Sequence, residues 1–415
     1  MYKKLNNDNK RVLSNFFSLS LLQGANYVLP LLTLPYLVRV LDVKSFGLVM
    51  FAQALMAYFT MLTDYGFNMS ATREISINRE NRRVVNEIFF DVMAIKLLLL
   101  IISFIILTII IFTFAKFNTY WYIYYLSFGM VIGQTIFPVW FFQGIEKMKY
   151  ITILNILSKL IFTISIFIFV SNDSDYYLVP LLNSLGFIIS GLISLYLVFI
   201  HFNIKFIYPD FKRMKRLFKE SSQLFISNIS VTLYTASNTV VLGLLTNNAI
   251  VGIYASIEKL IGAIKNLYIP LYQALFPWLS KKSKTEIKSK IKKIMPYIAI
   301  VGTLFTIVIF IFAKDILIFV YNKEEITKYY KVFQILSLIS ILASLNMLFN
   351  MLYLTSIKAY KERMKIMISS GIINLVMVFI LTYLLGIYGT ATSITITEFI
   401  LLVLGFYYYK KIGLQ

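Results

Sequence analysis

The sequence predicts an all-α polytopic membrane protein, with about twelve transmembrane helices in two six-helix lobes around a central cavity. Composition is the first observation behind this. Of the 415 residues, 59% are hydrophobic and 14% charged, and mean hydropathy is +0.77. Soluble domains carry roughly 25% charged residues, and one or two soluble cores could not hide so much apolar surface. The second observation is a series of continuous apolar runs, each near the roughly 20 residues that a spanning helix needs. None shows the period-two alternation of barrel strands. Charge placement is the third. Lys and Arg number 40 against 19 Asp and Glu, a net +21, which in a soluble chain would suggest nucleic acid. Here the excess collects in alternate short connections, as the positive-inside rule requires, so nucleic acid is not an expected partner.

In chain order the runs fall at 12–38, 46–71, 88–115, 120–143, 150–170, 177–202, 221–245, 250–278, 294–313, 332–355, 366–386 and 388–409. The first continues past Asn26 and Pro30 with no small-residue cleavage site, so it reads as a spanning helix and not a cleaved signal peptide. Connections on one side carry 29 Lys and Arg against 7 on the other, which places both termini in the cytoplasm. The stretch 203–220 holds six cations and divides the runs evenly. It reads as a basic, amphipathic cytoplasmic linker lying on anionic headgroups, between an N-terminal lobe (1–202) and a C-terminal lobe (221–415). Two internal matches support duplication. Residues 41–55 align with 246–260, placing Gly47 on Gly252, and QGIEKMKYITILN (143–155) aligns with SIKAYKERMKIMI (356–368).

Polar groups inside the spans mark the candidate site. In the first span Gln23, Asn26 and Thr33 share a face with Pro30, and both Pro30 and Pro35 bend the helix. The seventh span carries Ser227, Ser230, Tyr234 and Asn238 as one stripe. Stripes of this kind either bind helices together or line a hydrated cleft. Four lysines fall within spans: Lys96, Lys159, Lys259 and Lys265. Lys96 and Lys159 lie near enough to the cytoplasmic ends to snorkel. Lys259 and Lys265 are deeper, and with Asn26, Asn238 and Arg39 they form the expected substrate cavity. Arg39, near the outer end of the first span, reads either as an exception to the orientation rule or as an external gate cation. Asp64 and Glu398 are the intramembrane carboxylates expected to couple transport to protons or sodium. Buried ammonium groups suit a phosphate or acidic sugar. With no cysteine and only His201, thiol chemistry and metal sites of Cys or His are out, and no cofactor is expected. The longest external connection, 314–331, is too short for a catalytic domain, so the chain reads as a transporter and not an enzyme. A membrane polymerase or glycosyltransferase would want a large outer loop or an acidic cluster at one interface. A non-transporting scaffold for surface-glycan assembly is a further reading.

The segment SLLQGANYVLPLLTLPYLVRVLDVKSFGLVMFAQALMAYFTMLTDYGFNMSATREISINR and the later PVWFFQGIEKMKYITILN closely resemble O-antigen and polysaccharide flippases of the Wzx type. These belong to the multidrug/oligosaccharidyl-lipid/polysaccharide exporter superfamily. The resemblance is specific over 18–160 and looser beyond; Asp42 stands where the family more often has glycine. It implies a twelve-helix, two-lobed protein of the bacterial inner membrane. Such a protein flips undecaprenyl-diphosphate-linked oligosaccharides outward by alternating access, alongside polysaccharide-assembly proteins. Pro30, Pro35, Arg39, Gly47, Asp64, Gly66, Arg73, Glu74, Gln143, Gly144 and Glu146 match the family pattern. Of these Pro30, Pro35, Gly47, Arg73 and Glu74 are expected at fold and gate positions. The same superfamily leaves a peptidoglycan or teichoic precursor, or a drug, as alternative cargo.

Overall fold

The computed structural model describes residues 24, 29–30 and 32–412. Gln23, Asn26 and the side chain of Ser227 lie outside them. All regular structure described is helical. After a helical stretch at 32–40 come α1 (Val43–Asp64), α2 (Phe67–Asn78), α3 (Arg82–Thr113), α4 (Trp121–Ile136), α5 (Val139–Gly144), α6 (Met148–Phe169), α7 (Leu178–Tyr196) and α8 (Phe211–Leu245). These are followed by α9 (Asn248–Asn266), α10 (Tyr268–Leu279), α11 (Lys284–Ile311), α12 (Ala313–Tyr321), α13 (Tyr330–Ser337), α14 (Ile339–Asn346), α15 (Tyr360–Leu385) and α16 (Ile387–Ile412), with single helical turns between some of them. Ten helical stretches among the described residues are long and apolar enough to cross a membrane, against the twelve expected. The first expected span lies mostly outside the described residues. The eighth, 250–278, is interrupted at Leu267 and carries Glu258, Lys259 and Lys265, which dilute its hydropathy.

Helix α3 shows why these elements suit a bilayer. Leu99, Ser103, Leu107 and Ile111, four residues apart, are buried, while Leu98, Ile101, Ile102, Ile105 and Ile109 are exposed. A helix apolar on both faces can bury one against protein and give the other to lipid.

The chain divides into two compact units: 1–33 with 55–229, and 34–54 with 230–415. In the first, Phe89, Trp140, Phe141 and Phe142 anchor the core. In the second, Tyr272, Phe349, Tyr353 and Tyr409 do so. The expected linker 203–220 lies inside the first unit. Its first part, 203–210, is irregular, and from Phe211 the chain is already helical, continuous with the seventh span. It is tied down as well. The guanidinium of Arg213 donates to the buried Asp91 on α3 at 2.6 and 3.3 Å, and the Asp210 amide donates to the same carboxylate at 2.9 Å. Tyr65 stacks on Phe218 and Phe225 at 4.1 and 4.6 Å. Charge counting sees the cations here but not the partner 122 residues away that orders one of them.

Residues of the family pattern join α2 to α5. Thr72 donates to Gln143 at 3.2 Å, and a Cβ on Gly144 would meet Ile75 at 2.6 Å and the Thr72 carbonyl at 3.1 Å. Glu146 pairs with Arg79 at 2.9 Å, a residue the sequence reading passed over, while Arg73 is exposed and Glu74 half-buried. The internal repeat is visible as well, with one change of register. Glu146 and Lys358 both adopt left-handed φ, 59° and 60°. The following amides, of Lys147 and Ala359, each reach back five residues to the carbonyls of Phe142 and Leu354, both at 2.8 Å. Glu146 therefore corresponds to Lys358, not to Ala359 as the residue match has it, because turn geometry, not side-chain likeness, sets the register.

Candidate functional site

Two sets of polar side chains stand out, one in each unit. In the first unit a cavity of about 120 Å³ is lined by Thr60, Thr63, Asp64, Asn68, Lys96, Gln134 and Asn155, with Phe137, Val139 and Phe187 as its apolar wall. Helix α1 brings Asp64 as its last residue; the chain then turns through Gly66 at φ 83°, and α2 brings Asn68. A side chain on Gly66 would be strained at that φ and would press on Leu224. Lys96 comes from α3 and is only 2% exposed. The expectation that it snorkels to the cytoplasmic end is therefore corrected. Lys96 lines the cavity together with Asp64, Asn68, Gln134 and Asn155, polar groups of the kind a buried ammonium needs. Asp64 is the charge Lys96 feels most. Lys159 is half-buried.

In the second unit the eighth expected span breaks after Lys265, near its middle. Lys265 sits in the last turn of α9, where the helix dipole favours a cation. Its Nζ pairs with Glu398 of α16 and lies 6.0 Å from the ring centroid of Tyr234. Glu398 is fully buried and also accepts from Asn346 Nδ2 at 2.8 Å. Asn350 extends the chain, donating to Asn346 at 2.6 Å and to the Leu401 carbonyl at 2.9 Å. Asn346 and Asn350 flank the start of a π-helical stretch, Met347–Tyr353, a distortion often found at functional sites. Gly405 lets α16 approach, since a Cβ there would meet the Asn350 amide at 2.7 Å. Lys265 and Glu398 thus form one unit, held by asparagines that nothing in the sequence had marked.

The other expected site residues scatter. Lys259 is exposed, whereas its neighbour Glu258 accepts from Thr239 at 3.3 Å and Tyr254 at 3.4 Å. Asn238 lies on α8, within the second unit. It is fully buried, donates to the Tyr234 carbonyl at 3.0 Å and accepts from Asn374 at 3.5 Å, the helix-binding alternative for that stripe. Pro30 is exposed and Pro35 half-buried. Arg39 caps the carboxyl end of α12, donating to Phe319 O at 3.0 Å and to Val320 O at 3.1 and 2.7 Å. Lys323, just past that helix, donates back to Leu41 O. Gly47 packs against Asn248 and Gly252 of α9, and Gly252 in turn against Val43 and Gly47.

A family model described as "Polysaccharide biosynthesis protein" matches residues 12–283. A protein of Escherichia coli (strain K12) named "Putative O-antigen transporter" is 30% identical over 387 residues, 92% of this chain and 93% of that protein. One of the same name from Shigella dysenteriae is 30% identical over 384 residues, 92% and 96% of the two. Among solved structures, an inward-facing multidrug resistance MATE family transporter of the MOP superfamily superposes with a TM-score of 0.71 at 12% identity, over 93% of this chain and 94% of that one. The lipid II flippase MurJ, in an inward closed conformation, gives 0.52 at 12% identity, over 97% and 90%. At such identities the likeness is one of fold, all-helical and two-lobed.

Proposed function

Since this chain belongs to the polysaccharide biosynthesis protein family, we propose that it is a flippase. It moves undecaprenyl-diphosphate-linked oligosaccharides from the cytoplasmic to the outer leaflet of the bacterial inner membrane. Both termini stay cytoplasmic, and the product feeds surface-polysaccharide assembly. The observation that supports the reading is Lys265: an ammonium in the last turn of α9, within the eighth expected span, paired with Glu398 and 6.0 Å from the Tyr234 ring. Such a charge suits an anionic headgroup and opposes a drug cation. Reconstituted vesicles should flip a fluorescent lipid-linked oligosaccharide, and Lys265→Ala should abolish this while the protein still inserts. Vesicles that fail to flip any such lipid would remove the proposal.

Coupling belongs to the Asp64 cavity, where a carboxylate can exchange a proton or bind sodium while Lys96 balances charge. Glu398, engaged by Lys265 and Asn346, serves the coupling only as far as that pair opens. Arg39 acts as an external gate by clamping the last carbonyls of α12. Because the chain lacks cysteine, a single Leu41→Cys reporter tests this directly. Leu41 is fully buried and its carbonyl receives Lys323. Arg39→Ala should raise its labelling by an impermeant maleimide about tenfold, since charge-assisted hydrogen bonds are worth about 1.5–3 kcal/mol each. An unchanged rate would rule the clamp out.

A further inference from the structure

Helix α11 has 28 residues, about 42 Å of length against about 30 Å of hydrocarbon. Its first turns therefore stand outside the apolar core, and they are basic. The stretch 281–293 holds seven lysines and one carboxylate, Glu286. That carboxylate is committed to the helix cap, accepting from the Ser283 amide at 3.0 Å and the Ser283 hydroxyl at 3.1 Å. Leu279, Ile287 and Ile291 are buried in one core, which folds the start of α11 back against the end of α10. Two lysines meet one ring as a result: Lys282 Nζ lies 5.1 Å and Lys290 Nζ 5.6 Å from the ring centroid of Trp278. The indole is 44% exposed. Among the described residues no carboxylate pairs with either ammonium. Like charges gathered at one ring repel, and an anion bound beside them lowers that cost.

The face that Lys290 opens says which anion. Lys290, Lys293, Tyr297, Val301, Leu304 and Val308 recur at helical spacing along α11. All but Lys290, which is half-buried, are exposed. The face passes from cations through a phenol to aliphatic side chains, which is the order of phosphate, interface and acyl chain in a phospholipid. An acidic protein partner would use the lysines and leave the aliphatic strip idle.

We propose that Trp278, Lys282 and Lys290 form a headgroup site for an anionic phospholipid whose acyl chain lies along Tyr297, Val301 and Leu304. Contact with the indole holds both ammonium groups near the site in advance, so little side-chain freedom is lost when a phosphate arrives. The indole N–H is a further donor. This end of α11 adjoins the C-terminal helix, where Lys288 Nζ lies 5.4 Å from the Tyr409 ring. With the C-terminus cytoplasmic, the lipid belongs to the cytoplasmic leaflet, where anionic headgroups collect.

The test uses the full-length protein in phosphatidylcholine vesicles that carry either brominated phosphatidylglycerol or brominated phosphatidylcholine at equal mole fraction. Bromine quenches tryptophan on contact, and subtracting the Trp278→Phe protein isolates Trp278 from Trp121 and Trp140. Phosphatidylglycerol should occupy the site about thirtyfold better than phosphatidylcholine, the factor for about 1 kcal/mol from each of two lysines. Lys282→Gln with Lys290→Gln should lose most of that preference. Lys284→Gln with Lys292→Gln removes the same charge from the same basic stretch and should keep it. Lys290→Gln alone should lose about fivefold and carries the test if the first pair does not fold. Equal losses in the two pairs would make this a diffuse basic surface and overturn the site, as would equal quenching of wild type by the two lipids. If geranylgeranyl diphosphate in small excess over protein restores the fluorescence that brominated phosphatidylglycerol quenches, the clamp holds the cargo and the phospholipid assignment falls.

Discussion

Gly47→Ala is expected to destabilise the purified protein by about 1–3 kcal/mol or more, the range for overpacking a closed contact. A Cβ there would collide with the Asn248 carbonyl and come within 2.6 Å of the Gly252 nitrogen. Both obstacles are backbone, so neither can rotate aside. Gly252→Ala should cost a similar amount, since its Cβ meets the Val43 carbonyl and lies 3.1 Å from the Gly47 nitrogen. The two losses should not add, because one separation of α1 from α9 relieves both. Gly262 is the control. A Cβ there meets nothing within 4 Å, so Gly262→Ala should be neutral or gain up to roughly 1 kcal/mol of helix propensity. Thermal unfolding of the four proteins in one detergent decides it. An unchanged midpoint for Gly47→Ala would rule out the close approach of α1 to α9 in the purified protein.

The second large effect concerns the Lys265–Glu398 pair, and its signature is an order, not a single value. Lys265→Met strands a carboxylate that is fully buried, with only the Asn346 amide to support it. Breaking a buried pair in this way costs about 3–5 kcal/mol. Glu398→Gln strands an ammonium whose side chain is 28% exposed, so water relieves part of the loss and the cost should be smaller. Lys265→Met with Glu398→Leu removes both charges and should recover most of the stability, yet transport should remain absent. Equal costs for the two single variants would show that Glu398 is hydrated in the membrane, and full transport by the double variant would remove the pair from the mechanism.

Legibility in the sequence followed range. Apolar runs and loop cations are local signals, and they located the spans well enough to bracket α3, α15 and α16. Lys265 and Glu398 were found singly because charge at depth is rare whatever its surroundings. Their pairing across 133 residues was not legible, nor were Asn346 and Asn350, since an isolated asparagine in a span has no signature apart from its partner. Lys96 was misread for a related reason. Distance from a helix end is a local quantity, while the cavity that Lys96 lines is also built from α1, α2, α4, α5, α6 and α7.

By itself the sequence determined that the chain is helical and membrane-spanning, since hydropathy and charge bias act residue by residue through transfer free energy. The segments 20–79 and 138–155 also carried the family resemblance, and an internal match set Gly47 on Gly252. Only the tertiary structure decided that these two glycines face each other and that Glu146 corresponds to Lys358. It alone decided that Lys265 pairs with Glu398 and that Asn238 bonds to Asn374. Those outcomes depend on contacts between distant segments, where burial turns an unpaired charge or an added methyl group from a trivial feature into a costly one.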